Sequence, residues 1–299
     1  MNIKNHSVCM SSDITAILRS NGSVCLLGEL EREYKRKNWS LGAKAIALTD
    51  FAVAYIKRDG TVDTQWYQDY YDDFYDYDTE TYEEVYHTDD WRNVSVLRAG
   101  SDHIVGLTDS GRVYATGNNE DGQCNVSGWS KIVDIAAFNN TTIGLRSDGT
   151  VVMTGENESD CSEAKMWKNV SRIFAGNCAV VGIKNDGSVV TTNDDWKDEL
   201  ADWRDIVNVA LSTDTVIGVK KSGYVKVACD YYNDKKTEFK RNVEGWSDIV
   251  DAAIVWDLEQ FAVGLRSNGK LVSASTEGDR LFFADKRIDV LGVDNVMIP

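Results

Sequence analysis

Hydrophobic and polar positions alternate in short runs along this chain, and the runs return with one period. A glycine recurs at Gly22, Gly60, Gly111, Gly149, Gly187, Gly223 and Gly269, most neighbours being about 38 residues apart. Four residues before each stands an aliphatic side chain: Leu18, Ile56, Leu107, Leu145, Ile183, Val219 and Leu265. Two residues after each stands another: Val24, Val62, Val113, Val151, Val189, Val225 and Leu271. A period of this length marks a repeat architecture, here with seven copies. Asn-Gly or Asp-Gly occupies the turn in five copies, and Ser-Gly in the other two, at Ser110 and Ser222. Such pairs predict two-residue hairpin turns with both central residues at positive φ. A third strand is predicted before the hairpin, as over Ile132 to Ala137, Val170 to Ala175, Ile206 to Leu211 and Ile249 to Ile254. These runs are rich in β-branched residues and too short for helices. A short fourth strand fits within the period.

A tryptophan opens the third strand in six copies (Trp39, Trp91, Trp129, Trp167, Trp203 and Trp246), and Phe283 holds the place in the seventh. Large flat side chains at that spacing are expected to fill the space between adjacent sheets. Small residues follow, as in Ala99-Gly100, Ala136-Ala137 and Ala175-Gly176, and suit strands crowded near an axis. Sheets set radially satisfy both patterns and protect their edges by repetition. The expectation is an all-β chain: a seven-bladed β-propeller, one closed ring over residues 1–299 as a single domain. Val8 to Met10 has the place of a first strand. Ile288 to Gly292 begins an eighth copy that stops at Pro299, so the two chain ends are expected to meet in one blade and close the ring.

The hairpin core Val-Gly-Leu-x-x-x-Gly-x-Val and the tail Ala115 to Gln123, Ala-Thr-Gly-Asn-Asn-Glu-Asp-Gly-Gln, resemble repeats of the regulator of chromosome condensation family. So do the Ala-Ala-Gly-like strand ends. The resemblance implies an RCC1-like propeller and leaves function open, because fold does not fix function. Chromatin binding and nucleotide exchange on a small GTPase, known for the founding member, are not carried over: no residue here matches that member's functional ones. Short-bladed propellers that inhibit β-lactamases are similar in having seven copies and aromatic binding loops on one face, but their Gly-Trp-Gly strand ends and Thr-Val-Pro loops are missing here.

The copies differ most between the turn glycine and the next tryptophan, where copies two and six carry insertions, about residues 66–91 and 228–245. The first holds ten acidic residues, seven tyrosines and no lysine or arginine. The whole chain carries a formal charge of −16, so this one segment supplies most of the imbalance. Loops on a rigid scaffold are where binding residues concentrate. The candidate contact surface is Trp66, Tyr67, Tyr70, Tyr71, Asp72, Asp73, Phe74, Tyr75, Asp76, Tyr77, Asp78 and Tyr82, helped by Tyr231 and Tyr232 on the second insertion. Its expected occupant is another protein with a basic surface, met by a monomeric propeller. The four cations of the second insertion, Lys235, Lys236, Lys240 and Arg241, offer the acidic segment an internal alternative.

Chemistry is expected to be absent. Three histidines (His6, His87, His103) form no Ser/His/Asp spacing, and His103 stands where the resemblance implies a structural histidine. No zinc spacing exists among histidine and cysteine, and no cofactor is expected. The run Asp72 to Asp78 offers oxygen ligands to calcium, yet lacks the glycine and distal glutamate of a helical calcium loop. Gly117 to Gly122 carries two acids where a phosphate would approach. The net charge opposes nucleic-acid binding, which depends on neutralising phosphates. Six scattered cysteines without a Cys-x-x-Cys pair read as reduced. No apolar run spans a membrane, and the N-terminus lacks a signal-peptide pattern, so the expected location is cytoplasmic. Two other function classes stay open: a lectin-like propeller, which would expose its tryptophans, and an enzyme with histidine or carboxylate clustered on the axis.

Overall fold

The repeat folds as predicted because its aliphatic residues meet across each hairpin. Leu18 pairs with Val24, Ile56 with Val62, Leu107 with Val113, Leu145 with Val151, Ile183 with Val189, Val219 with Val225 and Leu265 with Leu271. All of them are buried. The computed structural model describes residues 6–11, 14–28, 38–39, 41–66, 86–156, 161–176, 179–229, 234–256 and 260–276.

The first blade comprises β1 (Val8–Met10), β2 (Ile14–Leu18), β3 (Val24–Gly28) and the two-residue β4 (Asn38–Trp39). Three-stranded blades follow. They are β5 (Ala43–Leu48), β6 (Ala52–Lys57) and β7 (Val62–Trp66); β8 (Val94–Ala99), β9 (His103–Thr108) and β10 (Val113–Gly117); β11 (Ile132–Phe138), β12 (Thr141–Arg146) and β13 (Val151–Gly155). Then come β14 (Val170–Gly176), β15 (Ala179–Lys184) and β16 (Val189–Thr191); β17 (Ile206–Leu211), β18 (Thr215–Lys220) and β19 (Val225–Cys229); and β20 (Ile249–Trp256), β21 (Gln260–Arg266) and β22 (Leu271–Ser275). Every blade is an antiparallel meander with its first strand innermost.

The inner strands form a ring. Each packs on the next, and β1 packs on both β5 and β20. Together they line a channel of about 190 Å³ to which all seven contribute. Alanines at 47, 99, 136, 137, 175, 210, 252 and 253 form much of its wall, which is the crowding the small residues anticipated. Ile288 to Gly292 and Phe283 lie outside the described residues, so the part of the closure seen here is that made by β1.

Two local expectations are corrected. The hairpin turn is a three-residue loop: the turn glycines have φ between 78° and 85°, but the residue before each is not among those with positive φ. Asn and Asp are favoured there for a different reason. The side chains of Asn21, Asp59, Asp148, Asp186 and Asn268 accept hydrogen bonds from the N–H two residues on, which fixes the turn locally. Nor do Trp91, Trp129, Trp167, Trp203 and Trp246 open the strand that follows. Each precedes it by three residues, with a left-handed residue between (Asn93, Lys131, Asn169, Asp205, Asp248; φ 57–61°). That residue backs onto the turn glycine of the preceding blade; a Cβ at Gly149 would stand 3.0 Å from the Asn169 nitrogen.

A fourth strand is described only in the first blade. In later blades helical turns occupy that part of the period: a 3-10 turn at Ser162–Met166, another at Asp194–Trp196 running into α1 (Lys197–Leu200), and α2 (Asp234–Glu244). The second insertion is therefore largely helix. It buries Lys236, Phe239 and Val243 against the cluster of Val227, Cys229, Trp246 and Ile254.

Candidate binding face

The tryptophans do fill the seams between blades. Trp39, Trp91, Trp167, Trp203 and Trp246 are between 2% and 8% exposed. In five copies the seat is a glycine in the middle strand, just before the aliphatic residue: Gly106, Gly144, Gly182, Gly218 and Gly264 face the rings of Trp91, Trp129, Trp167, Trp203 and Trp246. A Cβ at Gly144 would lie 2.7 Å from the Trp129 ring. Five of these rings are buried and Trp129 is half-buried, where the lectin-like alternative expects them exposed.

Of the candidate contact residues, the structure describes Trp66, at the end of β7 and half-buried. Its ring centroid stands 5.5 Å from that of Tyr86, tilted by 33°. Tyr86 is buried and donates its hydroxyl to Thr49 Oγ1 at 3.3 Å; burial pushes its phenol up to about 12, against the lowering effect of that bond. The backbone N–H of His87 donates to Thr116 Oγ1 at 3.0 Å. Next to this pair, Trp91 stacks on Tyr114 with centroids 5.3 Å apart, and the Arg112 guanidinium lies 4.4 Å from the Tyr114 ring centre. The two ends of the acidic segment are thus brought side by side by an aromatic clasp between blades two and three. Tyr67, Tyr70, Tyr71, Asp72, Asp73, Phe74, Tyr75, Asp76, Tyr77, Asp78 and Tyr82 lie outside the described residues, as do Tyr231 and Tyr232.

Of the four cations that offer the acidic segment an internal alternative, two have partners among the described residues. Lys236 Nζ donates to Asp214 Oδ2 and Lys240 Nζ to Glu199 Oε1, both at 2.6 Å. These two cations hold α2 to the turn after β17 and to α1.

Sequence reasoning missed the polar clasps of the ring. Asp251 is fully buried. It accepts from the N–H of Ala252 and Ser7 at 3.0 Å and from Asn208 Nδ2 at 2.8 Å, and lies 3.0 Å from His6 Nδ1. Asp134 likewise accepts from Ile135 N–H and from Ile173 N–H of the next blade. Inner strands leave N–H groups along the channel edge, and a buried amide without a partner is costly. The carboxylates supply those partners and join blade to blade. The His6–Asp251 pair is the kind of cluster a channel enzyme would show, but Asp251 spends both oxygens on backbone amides. Arg98 and Arg172 carry charge into the same interior, Arg172 Nε lying 3.5 Å from Asp134. Burial lowers the Arg98 pKa, and Asp134 opposes this.

His103 is buried in β9, its Nε2 2.8 Å from Thr142 Oγ1, which donates to the Gln123 carbonyl. Because the threonine proton is spent on that carbonyl, Nε2 carries the hydrogen and donates. Burial pushes the imidazole down to about 4, opposed by the Asn139 carbonyl. The histidine ties blade three to blade four. Cys9, Cys124 and Cys229 are free thiols, and Cys178 lies outside the described residues. Among the described residues no three metal-ligating side chains gather, and no helix is long and apolar enough to cross a membrane.

Comparison with known proteins agrees with this architecture. A profile of the Regulator of chromosome condensation (RCC1) repeat matches residues 94–123. No curated protein matches the chain in sequence. Among solved structures, the ectodomain of the Physcomitrella patens receptor kinase CR4 is similar with a TM-score of 0.61 and 15% identity, covering 90% of this chain and 72% of that one. The CRINKLY WD40 ectodomain of the Arabidopsis thaliana receptor kinase ACR4 gives 0.60 and 15%, covering 90% and 94%. Human WBSCR16 gives 0.61 and 13%, covering 89% and 88%. At such identities the likeness is one of fold. By its architecture the chain is a seven-bladed propeller, and one of its repeats, residues 94–123, matches the RCC1 repeat.

Proposed function

We propose that this propeller is a non-catalytic scaffold that binds another protein through the Trp66 to Trp91 segment, with Tyr231 and Tyr232 as a secondary contact. The observation that carries the reading is the composition of that segment: ten carboxylates and seven tyrosines without a single lysine or arginine. Such a field speeds encounter with a basic surface and weakens with salt. Tyrosine then supplies contact area at low entropic cost. The clasp of Trp66 on Tyr86 supports the reading, because fixing both ends lowers the entropy lost on binding. Both insertions leave from the end of a third strand, β7 and β19, so they share one face of the disc. The His6–Asp251 pair is read as a clasp of the ring, and the scaffold performs no chemistry.

The test is affinity capture with the wild-type chain and with a variant in which residues 67–85 are replaced by a short Gly-Ser linker, keeping Trp66 and Tyr86. A protein retained by the first and lost by the second supports the reading. Equal retention by both contradicts it.

A further inference from the structure

The charges of this acidic protein are sorted by face. The residue that ends the middle strand, or in the first blade directly follows it, is a cation in six of seven blades: Arg19, Lys57, Arg146, Lys184, Lys220 and Arg266. The turns add Arg58, Arg112, Lys221 and Lys270, and the connections that back onto them add Arg92, Lys131, Lys168 and Arg204. All fourteen are exposed or half-buried. Turns and connections lie on one face, since Val94 N–H donates to the Gly60 carbonyl and Ile249 N–H to the Gly223 carbonyl, both at 2.9 Å. Among the described residues the same face holds Asp59, Asp109, Asp148, Asp186, Asp205 and Asp248, with Asp63 2.8 Å from Lys57 Nζ and Asp89, Asp90 and Asp202 in the connections; ten carboxylates against fourteen cations leave it net positive in a chain of net charge −16. On the opposite face, three of the four described turns after the inner strands (residues 49–51, 100–102, 139–140 and 212–214) carry an aspartate, Asp50, Asp102 and Asp214, the last paired with Lys236, and none of the four contains lysine or arginine.

We propose that the hairpin-turn face is a second interaction surface, fitted to an Asp/Glu-rich polypeptide. This goes beyond the reading above, because it uses the other face and no residue of either insertion. Sorted charge creates a local potential opposite in sign to the net charge and draws anions to that face alone. The carboxylates interleaved with the cations decide which polyanion fits. A nucleic-acid duplex presents a charge about every 1.7 Å and would set phosphates against those aspartates. An extended polypeptide rises about 3.3 Å per residue with alternate side chains on opposite sides, so its carboxylates can settle on the cations between them. Hydroxyls at Ser110, Ser147, Ser222 and Ser267 and the exposed Tyr224 give the same face neutral donors.

The test measures binding of short fluorescein-labelled poly-L-glutamate, and of a labelled DNA duplex of equal charge, by fluorescence anisotropy at low and moderate salt. The wild-type chain should bind polyglutamate in a salt-sensitive way and more tightly than the duplex. The combined variant Arg58→Gln, Lys168→Gln, Lys221→Gln and Lys270→Gln should weaken that binding about tenfold. Asp109→Asn with Asp205→Asn should strengthen it several-fold, a gain that misfolding does not produce. Replacing residues 67–85 by a linker should leave polyglutamate binding in place, which separates this surface from the acidic segment. Tighter binding of the duplex would overturn the proposal in favour of nucleic acid. Absence of polyglutamate binding, or affinity unchanged in both charge variants, would overturn it outright.

Discussion

A single methyl group tests the seam between blades. Gly144 and Gly182 would bring a Cβ to 2.7 Å and 2.9 Å of the Trp129 and Trp167 rings, and overpacking of that kind costs roughly 1–3 kcal/mol. Gly144→Ala and Gly182→Ala should each lower the urea midpoint by that measure. Gly128→Ala, where a Cβ meets nothing within 4 Å, should not. The pattern was visible in the sequence as a glycine before the aliphatic residue, but its reason was not, since the tryptophan it receives lies on the seam between blades. His103 gives a second test. Its folded-state pKa of about 4 lies below the ordinary 6.5, so the folded state favours the neutral ring. Stability is therefore complete above pH 6.5 and is lost as pH falls toward 4, by up to about 3 kcal/mol. Denaturation of the wild type and of His103→Gln across that window should show a gap in pH slope; parallel curves would contradict the assignment.

At the scale of elements, strands were legible and helices were not. The strands announce themselves through pairs such as Leu145 and Val151, which need only local spacing. Helix α2 hides because one position of its buried stripe of Lys236, Phe239 and Val243 is a lysine, apolar in position and not in type. What makes Lys236 tolerable inside is Asp214, supplied by another element at 2.6 Å. Removing one partner of a buried pair costs about 3–5 kcal/mol, so Asp214→Ala should destabilise strongly. Lys240→Ala, whose pair with Glu199 is partly open to solvent, should cost about 1 kcal/mol or less. Equal losses in the two variants, measured by chemical denaturation, would show that α2 is not anchored at its buried cation. The acidic segment was legible as composition alone, because charge density needs no partner to be read. Its aromatic clasp depends on Thr49, from a turn the sequence does not connect with it.

For the whole molecule, closure of the ring rests on β1 and its clasp to Asp251. That residue escaped prediction because its place in the repeat is held by Ser7, Ala45, Val96, Asp134, Arg172 and Asn208 in the other copies, with no common chemistry to notice. Asp251→Ala strips partners from buried amides of two blades at once and should cost several times the roughly 1 kcal/mol of an ordinary hydrogen bond. Truncation of residues 288–299 should lower the melting temperature as well, by the expectation that both chain ends serve one blade. Function is a property of the faces, and the proposed one belongs to the face from which the two insertions leave. The most direct measurement is the binding kinetics of the captured partner with two insertion variants. Replacing Tyr70, Tyr71, Tyr75 and Tyr77 by serine should speed dissociation and leave association unchanged. Replacing Asp72, Asp73, Asp76 and Asp78 by asparagine should slow association and flatten its salt dependence. Kinetics identical to wild type in both variants would contradict the account and leave the segment a solvating appendage.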